Sequence, residues 1–78
     1  GNKEMERQIL AGIKYGGNDE STEERLKDLK SPFLRVLLLF HKKIPKARPG
    51  SKTERKDLRT EVLQVLREEH ERGGHEEI

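Results

Sequence analysis

The sequence predicts an all-α fold, a small bundle of three to four helices that pairs into a dimer. Three observations lead there. No alternating run of β-branched residues occurs, so no strand is expected. Apolar residues recur at three- and four-residue spacing along four segments. The octet FLRVLLLF, Phe33 to Phe40, carries seven apolar side chains and one arginine in a chain that is 41% charged. A helix that apolar needs cover on nearly every side.

The first segment is expected to be helical over 3–15. Met5, Ile9 and Ile13 fall every four residues and make one stripe, with Leu10 beside it. Gly16-Gly17 should end it, because glycine enters the left-handed region without steric cost. The second segment, 22–30, is short and polar. Ser21-Thr22-Glu23-Glu24 has the form of a capping box, and Leu26 and Leu29 are its apolar anchors.

The third segment is expected over 32–43. Ser31-Pro32 is a good start, since proline in the first turn loses no hydrogen bond. A single helix through 22–43 would place Pro32 in its interior at a cost of about 3 kcal/mol, so a break at Lys30-Ser31 is preferred. The run Pro45-Lys46-Ala47-Arg48-Pro49-Gly50 reads as a loop. The fourth segment, 52–72, begins at a second capping-box sequence, Ser51-Lys52-Thr53-Glu54, and presents Leu58, Val62, Val65 and Leu66 on one face with Leu63 off it. Gly73-Gly74 should terminate it, with 73–78 a frayed tail.

At 78 residues the chain reads as one small domain, of a size whose stability is marginal without help. There is no cysteine, so disulfides and thiolate zinc sites cannot supply that help. No stretch is apolar for the roughly 18 residues a membrane span requires. The expectation is a soluble protein of the cytoplasm or nucleus, with no membrane partner.

On a helical wheel Phe33, Val36, Leu37, Phe40 and Ile44 form the expected core face of the third segment. Leu34 and Leu38 lie on one flank and Leu39 on the other. One outcome is a central helix fully covered in a monomer. The other is that Leu34, Leu38 or Leu39 stays exposed until a second molecule covers it. Burying three leucines contributes about 5–8 kcal/mol, comparable with the whole stability of a small domain. A symmetric homodimer is the commonest such arrangement. Within the same helix, Leu34-Arg35-Val36-Leu37-Leu38 fits the pattern LxxLL and resembles the short helix by which transcriptional coactivators dock into an apolar groove. That resemblance implies an adaptor role as the alternative function.

Charge is segregated along the chain. From Lys42 to Lys56 there are seven Lys or Arg and one acid, Glu54, whereas from Asn18 to Glu24 there are four acids and no base. The expected polyanion site is Lys42, Lys43, Lys46, Arg48, Lys52, Arg55, Lys56 and Arg59. Phosphates of RNA or DNA, or an acidic protein, are the partners this composition suits. No aromatic residue interleaves with these charges, which argues against stacking on single-stranded bases. A nuclear localisation signal is an equally simple reading of the same residues, and a solvated loop that keeps the protein soluble is the plainest one.

No enzyme is expected. The acids lie on polar helix faces, where pairs such as Glu23 with Lys27 and Glu68 with Arg72 are the ordinary outcome. No nucleophile has a base beside it in the pattern. The three histidines, His41, His70 and His75, do not match a metal-ligand spacing. No catalytic residue, metal, cofactor or small-molecule substrate is therefore expected. The functional reading is a regulatory or accessory interaction domain that self-associates through the 32–43 helix and contacts a polyanion through 42–59.

Overall fold

Local chemistry at the helix ends sets the architecture. The computed structural model describes residues 1–73 and contains four helices among them: α1 (Asn2–Gly12), α2 (Asp19–Leu26), α3 (Ser31–Phe40) and α4 (Glu54–Gly73). Of the expected 73–78 tail, Gly73 is the last residue of α4, and residues 74–78 lie outside the described residues.

The helix α1 ends at Gly12, three residues short of the expected 3–15, with Ile13 already extended. Only Leu10 of this helix is buried, while Met5 is 63% and Ile9 53% exposed. Of the Met5/Ile9/Ile13 stripe only Ile13, just past the helix end, packs against the core. Leu10 lies about 100° or more round the helix from Met5 and Ile9, so a single residue anchors α1.

The helix α2 begins earlier than the expected 22–30 because Asn18, not Ser21, is its cap. The Asn18 Oδ1 accepts from the Ser21 N–H at 2.8 Å. Thr22, the only buried polar residue among those described, then knots the turn: its Oγ1 accepts from Gly16 N–H (2.7 Å) and donates to the Asn18 carbonyl (2.8 Å). This satisfies donors that would otherwise be stranded.

Three arginines of α4 hold α2 in an antiparallel register. Arg67 reaches Asp19 at 2.7 Å, Arg59 reaches Glu23 at 3.9 Å, and Arg55 donates to the carbonyls of Lys27 (2.7 Å) and Leu29 (3.0 Å). Arg55 thereby meets carbonyls at the negative end of α2. The expected Glu23–Lys27 pair does not form, since Arg59 takes Glu23 and Lys27 pairs with Glu24 at 3.3 Å. Likewise Arg72 lies 4.0 Å from Glu69 rather than pairing with Glu68.

The helix α3 then runs back alongside α4. Its middle residue Arg35 reaches Glu54 at the start of α4, while Phe40 and His41 line a groove with Leu66, Glu69 and His70 near the other end. The chain between them, 41–53, is a return strap laid along α4. The core is Leu10, Leu26, Leu34, Leu37, Leu38, Ala47, Leu58, Val62, Val65 and Leu66. One of these, Ala47, belongs to the strap.

The buried face of α3 is turned from the expected one. Leu34, Leu37 and Leu38 are fully buried, Phe33 and Phe40 are half-buried, and Val36 and Leu39 are exposed. The turn amounts to about 100°, the angle of one residue. Its physical cause is Arg35. Facing the expected way, it would point to solvent; turned, it lies at the core edge and latches the strap. Leu34 and Leu38 are therefore corrected from association residues to core residues of the single chain.

Candidate polyanion-binding strap

The strap starts with a helix ending that no glycine announces. Lys43 N–H donates to the Leu38 carbonyl and Lys42 N–H to the Leu39 carbonyl, both at 2.9 Å. This is the Schellman arrangement, and it places Lys42 in the left-handed position with φ +64°. The helix accordingly stops at Phe40, not at the expected 43. A side chain in that conformation costs about 1 kcal/mol that glycine would not.

Two carboxylates of α4 then fasten the strap by its backbone. Glu61 accepts from Lys46 N–H (Oε1, 2.9 Å) and Ala47 N–H (Oε2, 2.8 Å). Glu54 accepts from Gly50 N–H at 2.9 Å through Oε1, and from Arg35 Nε (3.1 Å) and Nη2 (2.9 Å) through Oε2. Arg35 Nη2 also donates to the Ala47 carbonyl at 3.0 Å. The Gly50 N–H, then the Arg35 guanidinium, hold the Glu54 carboxyl below the ordinary carboxylate range against a smaller effect of burial. The capping box expected at Ser51 is not made. Glu54 reaches back to Gly50, and Ser51 Oγ is buried without a partner among the described residues.

The local carboxylates are engaged by groups other than the strap's cations. Glu54 and Glu61 face backbone N–H groups, and Asp57 accepts from the Thr53 hydroxyl at 2.8 Å. The strap's cations are left without counter-charges. Five of them, Lys42, Lys43, Lys46, Arg48 and Lys52, together with Lys56 in the first turn of α4, are exposed, and their side chains have no hydrogen bond or ion pair among the described residues. The other two expected site residues belong to the fold instead. Arg55 caps α2, and Arg59 is largely buried with its Nε in the 3.9 Å ion pair to Glu23 but without a hydrogen bond among the described residues.

Of the expected interface residues, only Leu39 is at the surface, 56% exposed. With Val36 and Pro32 it forms an outer strip of α3 that holds no charge, because Arg35, the helix's one charged residue, is turned to Glu54. All three leucines of the LxxLL-like stretch, Leu34, Leu37 and Leu38, are in the core. The folded chain offers them to no groove.

Elsewhere, a groove of about 340 Å³ lies between the ends of α1, α3 and α4, where Tyr15 and His70 rings approach to 5.3 Å. Among the described residues, no three His, Cys, Asp or Glu are grouped to hold a metal ion. No helix among them is long and apolar enough to cross a membrane.

Comparison with known proteins finds no family model that matches the chain, no similar curated protein and no similar solved structure.

Proposed function

We propose that this chain is a non-enzymatic accessory or regulatory interaction domain that binds the phosphates of RNA or DNA through the strap and self-associates through the outer strip of α3. One observation carries the reading: five exposed cations on the strap and Lys56 at the start of α4 carry no ion pair, while Glu54 and Glu61 beside them are engaged by backbone N–H groups and Arg35. A solvated basic loop would need no such fastening. Here two carboxylates and Arg35 fix the backbone, so binding need order only the side chains and not the strap itself. The strain at Lys42 supports the same reading, because a lysine in a position that suits glycine better is consistent with use of its side chain.

Contacts of this kind neutralise phosphates and release counterions, with little readout of sequence. The basic composition does not by itself separate nucleic acid from an acidic protein. The backbone-fastened strap, and the engagement of Glu54, the one acid between Lys42 and Lys56, by Gly50 N–H and Arg35, favour a phosphate backbone. Self-association rests on Leu39, Val36 and Pro32, an uncharged strip on a ten-residue helix. Cover by a second copy is the simplest way to shield it.

The test is a charge-reversal pair at exposed strap positions. Lys43→Glu with Lys52→Glu should leave the helical spectrum intact and abolish binding to nonspecific duplex at about 50 mM salt. Binding that survives both reversals would place the polyanion site elsewhere.

A further inference from the structure

Ile44 is the most exposed large apolar residue among those described, at 83%, and it stands within the run of cations. We propose that Ile44 is a wedge that enters a base step of duplex DNA while the strap's lysines hold the flanking phosphates. The inference rests on the polyanion reading above and names its ligand.

The geometry of the strap supports a wedge. The chain leaves the bundle at Phe40, exposes Lys42, Lys43 and Ile44, and re-enters the core at Ala47. Both ends of this excursion are fastened. The Schellman bonds close it at Lys42 and Lys43, and Glu61 grips the N–H groups of Lys46 and Ala47. Pro45 removes one more backbone freedom directly after Ile44. A side chain held out this way does not fold back onto the protein. Isolated exposed isoleucines are ordinary on protein surfaces. This one differs in being presented by a fastened turn with Lys42, Lys43, Lys46 and Arg48 around it in sequence.

An apolar side chain flanked by cations fits two surfaces, a bent duplex and an anionic lipid headgroup layer. Wedges of Ile, Leu, Phe, Met or Pro enter between base steps, partly unstack them and kink the duplex. Lipid insertion draws on a broad apolar face. The strap offers one isoleucine and no aromatic residue, which favours the duplex. Phosphate contacts on either side then repay the unstacking.

The experiment is energy transfer between dyes at the two ends of a duplex of about 20 base pairs, titrated with the whole chain. Wild-type protein should raise the transfer as it binds, reporting a kink of about 20–90°. Ile44→Ser should bind with an unchanged salt dependence but lose the rise, and Ile44→Phe should keep it. Circular dichroism of each variant guards against misfolding. If Ile44→Ser bends the duplex as wild type does, the wedge is overturned and the polyanion reading stands. If wild type does not bind the duplex at low salt, both fall. If wild type binds phosphatidylserine vesicles, loses them on Ile44→Ser and leaves the duplex straight, the surface is a lipid one and the wedge is overturned.

Discussion

Arg35 donates to Glu54 Oε2 through Nε at 3.1 Å and Nη2 at 2.9 Å, and the same Nη2 reaches the Ala47 carbonyl at 3.0 Å. The single arginine of the apolar octet is therefore one of the groups that join the strap to the bundle, beside Glu61 and Glu54. Arg35→Met should keep the helices but loosen the strap, lowering the unfolding midpoint and speeding amide exchange at Ala47 and Gly50. Arg35→Lys should resemble Arg35→Met, since an ammonium cannot reproduce the forked contact. Hydrogen exchange followed by NMR separates the two ends of the strap. Unchanged protection at Ala47 in both variants would remove Arg35 from this role.

Lys42 bears opposite demands. Lys42→Gly should raise stability by about 1 kcal/mol in a denaturant titration, because the left-handed position suits glycine. The same substitution should weaken polyanion binding and reduce the salt slope by about 1. A variant that gains stability without losing affinity would show that the lysine side chain makes no contact.

Acid should release the strap before it melts the core. The Glu54 carboxyl is held low by Gly50 N–H and Arg35, and Asp19 is held low by the Tyr15 hydroxyl and then Arg67. A carboxylate with a depressed folded pKa adds stability that is present above its unfolded pKa and fades as pH falls through the folded one. The loss should therefore begin near the ordinary carboxylate range, about pH 4, and complete at lower pH. Glu54→Gln should flatten this dependence when stability is measured against pH. An unaltered acid profile in Glu54→Gln would move the effect to other carboxylates.

Two neighbouring leucines should behave in opposite ways. Leu38 is in the core, so Leu38→Ala should cost about 2–5 kcal/mol of stability. Leu39 is exposed, so Leu39→Glu should leave stability within about 0.5 kcal/mol. Under the self-association reading, Leu39→Glu should also shift sedimentation toward the monomer at high protein concentration. A wild-type chain that stays monomeric there would end that part of the proposal.

The all-α class was legible because apolar spacing is a local property. Leu58, Val62, Val65 and Leu66 share a face by spacing alone, and the same four are buried in α4. The facing of α3 was not legible. Its wheel offers an apolar arc wider than half the circle, and only the Arg35–Glu54 contact, 19 residues apart in sequence, selects which part turns inward. The strap was legible in composition but not in function within the fold. A loop has no periodicity, so nothing local marks Ala47 as core or Glu61 as the clamp on its N–H. The same holds for Arg55 and Arg59, whose charges match the site pattern while their positions on α4 serve α2. The start of α2 was missed for a simpler reason: Asn18 and Ser21 are both good caps, and Asn18 lies where the Thr22 knot forms.

The most direct measurement is the affinity for a nonspecific duplex as a function of salt, wild type against a variant with Lys42, Lys43, Lys46, Arg48, Lys52 and Lys56 replaced by glutamine. With six cations available, log K should fall against log salt with a slope of about −3 to −5, and the variant should lose nearly all of it. A wild-type slope near zero, or a variant that binds as wild type does, would contradict the account.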